Sequence, residues 1–270
     1  MDKLKLKIII DNFRYAENEK KLSESISDGV VNEAAKLATV ENSHITPQEA
    51  LEIFTGFSDS EFDMKSFAKF CCEIMSVDPD CSRDVSDLSV TNTVYLRNPL
   101  TDKAYETFSK RFTPLRAAYS HDFKSSCEDV YYDRADSCIL PLENSYDGLL
   151  MPFRNMLIKY ELKLAAVTNI TSGEDDRQSL ALVTGNMVDT DGNVLEAYIP
   201  ALDITLFPSL IEAAKILNCE VMRVTSVKSK NEGTYDHHIC FTANTRSLSV
   251  LQYFLSAVSP AHIILGQYKN

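Results

Sequence analysis

Cys138-Ile139-Leu140-Pro141-Leu142-Glu143-Asn144-Ser145-Tyr146-Asp147-Gly148 is an apolar run that ends abruptly in carboxylate, amide and hydroxyl side chains. Ser137–Leu142 reads as a buried strand, because a short unbroken apolar run bounded by turn residues suits a strand covered on both faces. Glu143, Asn144 and Ser145 then fall at its C-terminal end, where α/β proteins bind ligands. Outward from this stretch the chain alternates. Upstream lie a strand over Thr93–Leu96, a helix over Asp102–Phe112, an extended piece over Leu115–Tyr119 and a helix ending over Cys127–Tyr132. Downstream come a helix over Met151–Ile158 and strands over Leu162–Val167 and Ser179–Thr184, with polar turns at Thr171–Arg177 and Asp189–Asn193, the second suited to a hairpin. Strands alternating with helices imply an α/β sheet.

The two ends of the chain read differently. The C-terminal region gives a strand over Ile199–Phe207, a helix over Pro208–Leu217, two strands over Glu220–Ser229 and Tyr235–Ala243, a helix over Arg246–Ala257 and a strand over His262–Leu265. That βαββαβ order is the split, ferredoxin-like arrangement. The first ninety residues read as mostly helical. Val30, Val31, Ala34, Ala35, Leu37 and Ala38 keep a helical period, Thr46-Pro47-Gln48-Glu49 forms a capping box, and Asp63 caps a helix carrying Phe67, Phe70, Cys71, Ile74 and Met75. Lys3–Ile8 alternates with period two and could instead be a strand. Ser76–Ser89, rich in aspartate and serine, has a linker's composition. The expected layout is a helical region over 1–85, an α/β lobe over 92–188 and a ferredoxin-like module over 195–270.

Composition narrows the function classes. The 270 residues carry 27 Lys+Arg against 39 Asp+Glu, a net charge of −12. An acidic chain repels phosphate backbones and anionic bilayers, so neither nucleic acid nor membrane is an expected partner. Seven cysteines, an odd number without a framework spacing, point to reduced thiols and a cytoplasmic protein. The N-terminus has no apolar stretch of signal-peptide character. His237-His238 beside Cys240 looks metal-like, but neighbours on a strand face opposite ways, and two ligands do not make a zinc site. No phosphate-binding, dinucleotide or nucleophile-elbow motif occurs, and no cofactor is expected.

The stretch over 138–148 resembles the "V-P-I-E-N-S-x-x-G" motif of prephenate dehydratase, and the C-terminal Ile263-Ile264-Leu265-Gly266-Gln267-Tyr268 resembles the end of the ACT domain found in the same enzymes. Ala135-Asp136 matches a step that precedes the motif. Phe70-Cys71-Cys72-Glu73-Ile74-Met75-Ser76 resembles a stretch of the chorismate mutase domain fused ahead of prephenate dehydratase in bifunctional enzymes. The resemblance implies a prephenate dehydratase-like α/β lobe followed by an ACT-like domain, and an L-phenylalanine-pathway setting.

The departures shape the functional expectation. The family's Gly-rich opening loop, whose amides approach an anionic substrate, is replaced by Tyr95-Leu96-Arg97-Asn98-Pro99-Leu100-Thr101. Its "T-R-F" is replaced by Gln178-Ser179-Leu180, and the chain between Tyr146 and Arg177 is too short for the family's second lobe, so the cleft between lobes should be absent. In the module, Pro208-Ser209-Leu210 and Thr225-Ser226-Val227-Lys228 stand where the ACT effector motifs would be. Glu143, Asn144, Ser145, Gly148 and Gln178 are therefore the candidate ligand-binding residues. Ser209, Leu210 and Ser226 are the weaker effector candidates, and no catalytic residue or metal ligand is assigned. Glu143, Asn144 and Ser145 also have a purely local reading, as the cap of the next helix. The expected protein is a non-catalytic relative that binds a small carboxylate or amino acid, or assembles as a homodimer through the ACT-like module. The alternative is an active chorismate mutase or prephenate dehydratase.

Overall fold

The computed structural model describes residues 45–57, 62–77, 90–171, 177–187 and 192–269, together with Ala35. The period over Val30–Ala38 (Ala35 apart), the alternation over Lys3–Ile8 and most of the Ser76–Ser89 stretch lie outside the described residues.

Two N-terminal helices, α1 (Pro47–Phe57) and α2 (Met64–Val77), start where their caps predict. Thr46 and Glu49 exchange backbone-to-side-chain bonds at 2.8 and 3.3 Å, and Asp63 accepts from the Ser66 amide at 3.0 Å. Each cap satisfies amides that a helix start leaves without partners. The α/β region follows as β1 (Asn92–Leu96), α3 (Pro99–Arg111), β2 (Arg116–Ser120), α4 (Phe123–Tyr131), β3 (Ser137–Asn144), the short β4 (Gly148–Leu149), α5 (Met151–Lys159), β5 (Lys163–Thr171) and β6 (Arg177–Thr184). The C-terminal elements are β7 (Val194–Asp203), α6 (Phe207–Ile216), β8 (Glu220–Lys228), β9 (Thr234–Thr242), α7 (Thr245–Val258) and β10 (Ile263–Tyr268).

The ten described strands join one mixed sheet in the order β2-β1-β3-β6-β5-β10-β7-β9-β8, with β4 beside β3. β1 runs parallel to β2 and β3, while β3, β6 and β5 alternate in direction. The order β10-β7-β9-β8, antiparallel throughout, is the ferredoxin-like order expected from the sequence. The α/β region and the C-terminal module share an edge, since β10 lies parallel to β5 with Gly266 opposite Leu164.

Two expectations change. β6 and β7 do not form the hairpin expected across Asp189–Asn193, most of which lies outside the described residues, because β6 pairs with β3 and β5 while β7 pairs with β10 and β9. β7 also begins at Val194, earlier than the Ile199 expected. Its first residues pair with the last of β10, and it ends where the Asp203 carboxylate accepts from the Thr205 amide at 2.8 Å.

Strand alternation sorts the core into layers. On β6, Leu180 and Leu182 face α3, while Ala181 and Val183 face α4 and α5. On β9, Ile239 and Phe241 join the layer of α6 and α7. That layer continues into α1 and α2 through Phe54, Phe67 and Phe70, with Phe67 at 5.8 Å from the Phe254 ring. The Tyr253 hydroxyl donates to the Ile45 carbonyl at 2.8 Å. The apolar faces of α1 and α2 thus pack within the chain. None of the described helices is long and apolar enough to cross a membrane.

Candidate functional site

Glu143 emerges from the end of β3, and its backbone pairs with Leu149 of β4 and Ser179 of β6. Behind it stands Arg154 of α5, 1% exposed. Arg154 donates to the Leu142 carbonyl at 2.8 Å and reaches Glu196 at 3.3 Å and Glu143 at 3.5 Å. Glu196 sits in β7 between apolar neighbours and is 4% exposed. From the module side Arg223 of β8 bonds Glu143 and lies 3.5 Å from Glu196, while the Tyr268 hydroxyl donates to Glu196 at 2.7 Å. Two arginines and two glutamates therefore alternate across the joint. Burial of so many charges is tolerable because each carboxylate meets two guanidinium groups.

The surroundings shift the neighbouring groups. Burial, aided by Glu196, pushes the Cys240 thiol up to about 12, against the opposing pull of Arg223 and Arg154. Burial and the Arg154 charge hold His238 down at about 4, against the opposing pull of Glu196 and Asp236. A histidine held neutral costs stability once the unfolded chain begins to take up protons. Its contribution is intact above the unfolded value of about 6.5 and is lost as pH falls from there toward 4. His237 and His262 are lowered by burial as well. Urea denaturation at pH 7 and pH 5 should thus show a fall of about 1–2 kcal/mol from His238 alone. His238→Gln should flatten that slope, and an unchanged slope would contradict it.

A cleft of about 240 Å³ opens at this joint. Its lobe wall is Leu142, Glu143, Val167, Asn169, Arg177 and Ser179, and its module wall is Val194, Glu196, Met222, Arg223, Cys240 and Tyr268. The sequence led us to expect no cleft, since the chain between β3 and β6 is too short for a second lobe. Among the described residues that stretch forms β4, α5 and β5, all on or against the same sheet. The module supplies the second wall instead.

Of the residues singled out from sequence, Glu143 lines this cleft. Asn144 and Gln178 are cross-strand partners, one position further along each strand and so on the opposite face. Asn144 shapes the turn into β4: its Oδ1 accepts from the Tyr146 amide at 3.0 Å, and its amide donates to Asp147 at 2.9 Å. Neither it nor the exposed Ser145 caps α5, whose N-cap is Leu150 without a side-chain bond. Gly148 adopts φ +66 at the start of β4, a conformation that glycine accepts without strain. Asp136 accepts from the Thr91 and Asn92 amides at 2.9 and 2.8 Å and so fixes the start of β1.

The effector candidates lie around α6. Leu210 is buried in the core, and Ser209 is half-buried one position before it. The Ser226 hydroxyl is bonded to His237 Nδ1 at 2.8 Å, and the Phe207 ring stacks on the same imidazole at 4.4 Å. His237 thereby links Ser226, in the second of the stretches that stand in place of the effector motifs, to Phe207, which immediately precedes the first. Arg154, Arg177, Glu196, Arg223 and Tyr268 escaped the sequence reading. A charged residue at an apolar period was the available signal: Arg154 shares a helix stripe with Leu157 and Ile158, and Glu196 interrupts Val194-Leu195-Glu196-Ala197.

No family model and no curated protein matches this chain. Solved structures do. Prephenate dehydratase from Streptococcus mutans superposes with a TM-score of 0.55 at 14% identity, covering 66% of this chain and 97% of that one. Prephenate dehydratase from Arthrobacter aurescens, in complex with L-Phe, gives 0.53 at 14% identity, covering 67% and 90%. GqqA, described as a novel type of quorum quenching acylase, gives 0.50 at 14% identity, covering 66% and 94%. The fold is prephenate dehydratase-like.

Proposed function

We propose that this chain is a non-catalytic relative of the chorismate mutase–prephenate dehydratase proteins, retained as a binding and assembly module in aromatic amino-acid metabolism. The observation that carries this reading is the start of α3, where the family's Gly-rich loop would meet an anionic substrate. Here Asn98 Oδ1 accepts from the Leu100 and Thr101 amides at 3.0 Å each, and the Thr101 hydroxyl returns a bond to Asn98 N at 3.0 Å. Asp102 adds a carboxylate in the same turn, bonded by Tyr95 at 2.9 Å. The amides that would hold an anion are already spent, and a negative charge stands beside them. At the other end of the expected site, Glu143 is engaged by Arg154 and Arg223.

Purified protein should not convert prephenate to phenylpyruvate. A spectrophotometric assay at saturating prephenate tests this, and turnover near 1 s⁻¹ or faster would replace the reading with that of an active pathway enzyme.

Assembly runs through the ferredoxin-like module, in our reading through the free edge of β8. β9 is buried within the chain from His237 to Phe241, so it offers little surface to a partner. Among the described strands β8 ends the sheet, and it leaves Met222 and Val227 about half exposed, at 51% and 49%. An unpaired apolar edge is a template for pairing. Two copies of Glu220–Lys228 antiparallel about Val224 set Glu220 opposite Lys228 at both ends, a self-complementary arrangement of the kind a two-fold axis requires. Light scattering should give a dimer at micromolar concentration, and Val224→Lys should give a folded monomer. A monomeric parent protein would end the assembly reading. The cytoplasm is the compartment we assign, in keeping with the free thiols of Cys71, Cys72, Cys127, Cys138, Cys219 and Cys240.

A further inference from the structure

We propose that the cleft between the α/β lobe and the C-terminal module binds a small organic monoanion, its charged end between Arg177 and Arg223 and its apolar body against Leu142, Val167 and Met222. The inference rests on the reading above in taking the site as one of binding and not turnover.

The charge pattern of the joint leads to this ligand. Arg154, Arg177 and Arg223 face Glu143 and Glu196, which leaves one positive charge in excess within a chain of net charge −12. Arg154 and Arg223 are each bridged to both glutamates. Arg177 lines the same cleft and has no carboxylate partner among the described residues. It sits two positions before Ser179 on β6, so both belong to one face of the strand. Ser179 donates to Asn169 Oδ1 at 2.6 Å, which orients the Asn169 amide and leaves its NH₂ group as a donor. The free polar groups at this end of the cleft are thus predominantly donors, and a planar guanidinium suits a carboxylate.

Size and sign limit the ligand further. The cleft, at about 240 Å³, lies below the roughly 300 Å³ at which pockets begin to hold drug-sized ligands. One negative charge neutralises the excess. A second would stand uncompensated beside Glu143 and Glu196, so a dianion is disfavoured. The lining also has apolar members, Leu142 and Val167 from the lobe and Val194 and Met222 from the module. A ligand seated there touches both the lobe and the module, and so stabilises their joint in proportion to its affinity.

The test is titration calorimetry on the full chain with three probes of one shape: cyclohexylacetate, the neutral cyclohexylacetamide and the dianion cyclohexylmalonate. Cyclohexylacetate should bind and raise the melting temperature, with the amide and the dianion each weaker by about tenfold or more (~1.4 kcal/mol). Arg177→Gln should lose a similar factor while keeping the parent's melting temperature without ligand, because that side chain is exposed and has no carboxylate partner among the described residues. Met222→Gln should weaken binding of the apolar body without altering the preference for the monoanion. Absence of binding by all three probes, equal binding of acid and amide, or undiminished binding by Arg177→Gln would overturn the proposal. Prephenate turnover by the parent protein would instead remove the non-catalytic reading and leave a positive titration standing.

Discussion

Gly266→Ala is expected to destabilise the protein by about 3 kcal/mol or more, at the upper end of what overpacking costs. Gly266 lies where β10 meets β5, and a Cβ added there would stand 2.4 Å from the Leu164 carbonyl oxygen and 2.8 Å from its nitrogen. These are backbone atoms, and no rotamer change can move them aside. The strands would have to part at the place where lobe and module share a sheet. Lys163 Nζ donates to the Ile264 carbonyl at 2.7 Å across the same seam, so its bond would be strained too. Gly56→Ala is the control. Nothing lies within 4 Å of a Cβ in that helical position, and alanine there should stabilise by about 0.5–1 kcal/mol. Urea denaturation of both variants checks the pair. A Gly266→Ala protein with the parent's midpoint would show that the seam is looser than described.

Glu196→Ala should cost about 3–5 kcal/mol, since it removes one partner from a buried charge pair. Glu196 meets Arg154 and Arg223 and accepts from Tyr268, and Arg154 itself is 1% exposed. The cost comes from leaving the Arg154 charge half compensated in a dry environment, more than from the lost attraction. Arg154→Met combined with Glu196→Met removes one charge of each sign and leaves Glu143 paired with Arg223. That double variant should be markedly more stable than the sum of the two single changes implies. Additive single effects would mean that the four charges act independently. The same network gives Glu143, a ligand-binding candidate from the sequence, two arginine partners at one side of the cleft.

Much of the fold was legible because its signals are local. The capping box at Thr46–Glu49 and the cap at Asp63 fixed two helix starts within a few residues. The apolar run of 138–142 marked an interior strand of the sheet that is buried over residues 137–142. The βαββαβ order followed from period and turns alone. The pairing of strands did not, because a turn of suitable composition between β6 and β7 says nothing about which strands lie beside them. Hairpin chemistry at Asp189–Asn193 was outweighed by the partners that β3, β5 and β10 offered elsewhere.

The site divides in the same way. By itself the sequence determined the element types, the ferredoxin-like order of the C-terminal module, the acidic balance, and Glu143 as a polar group at the end of a buried strand. Only the tertiary structure decided that β10 would join β5, that Glu143 would meet Arg223 from 80 residues away, and that the module would form the second wall of the cleft. The physical reason is range. Caps, turns and hydrophobic periods act within about one helical turn or one strand of the residue that carries them. A buried ion network is favourable only when charges from distant segments arrive together with good geometry, so none of its members is distinguishable along the chain from a charge that stays in water.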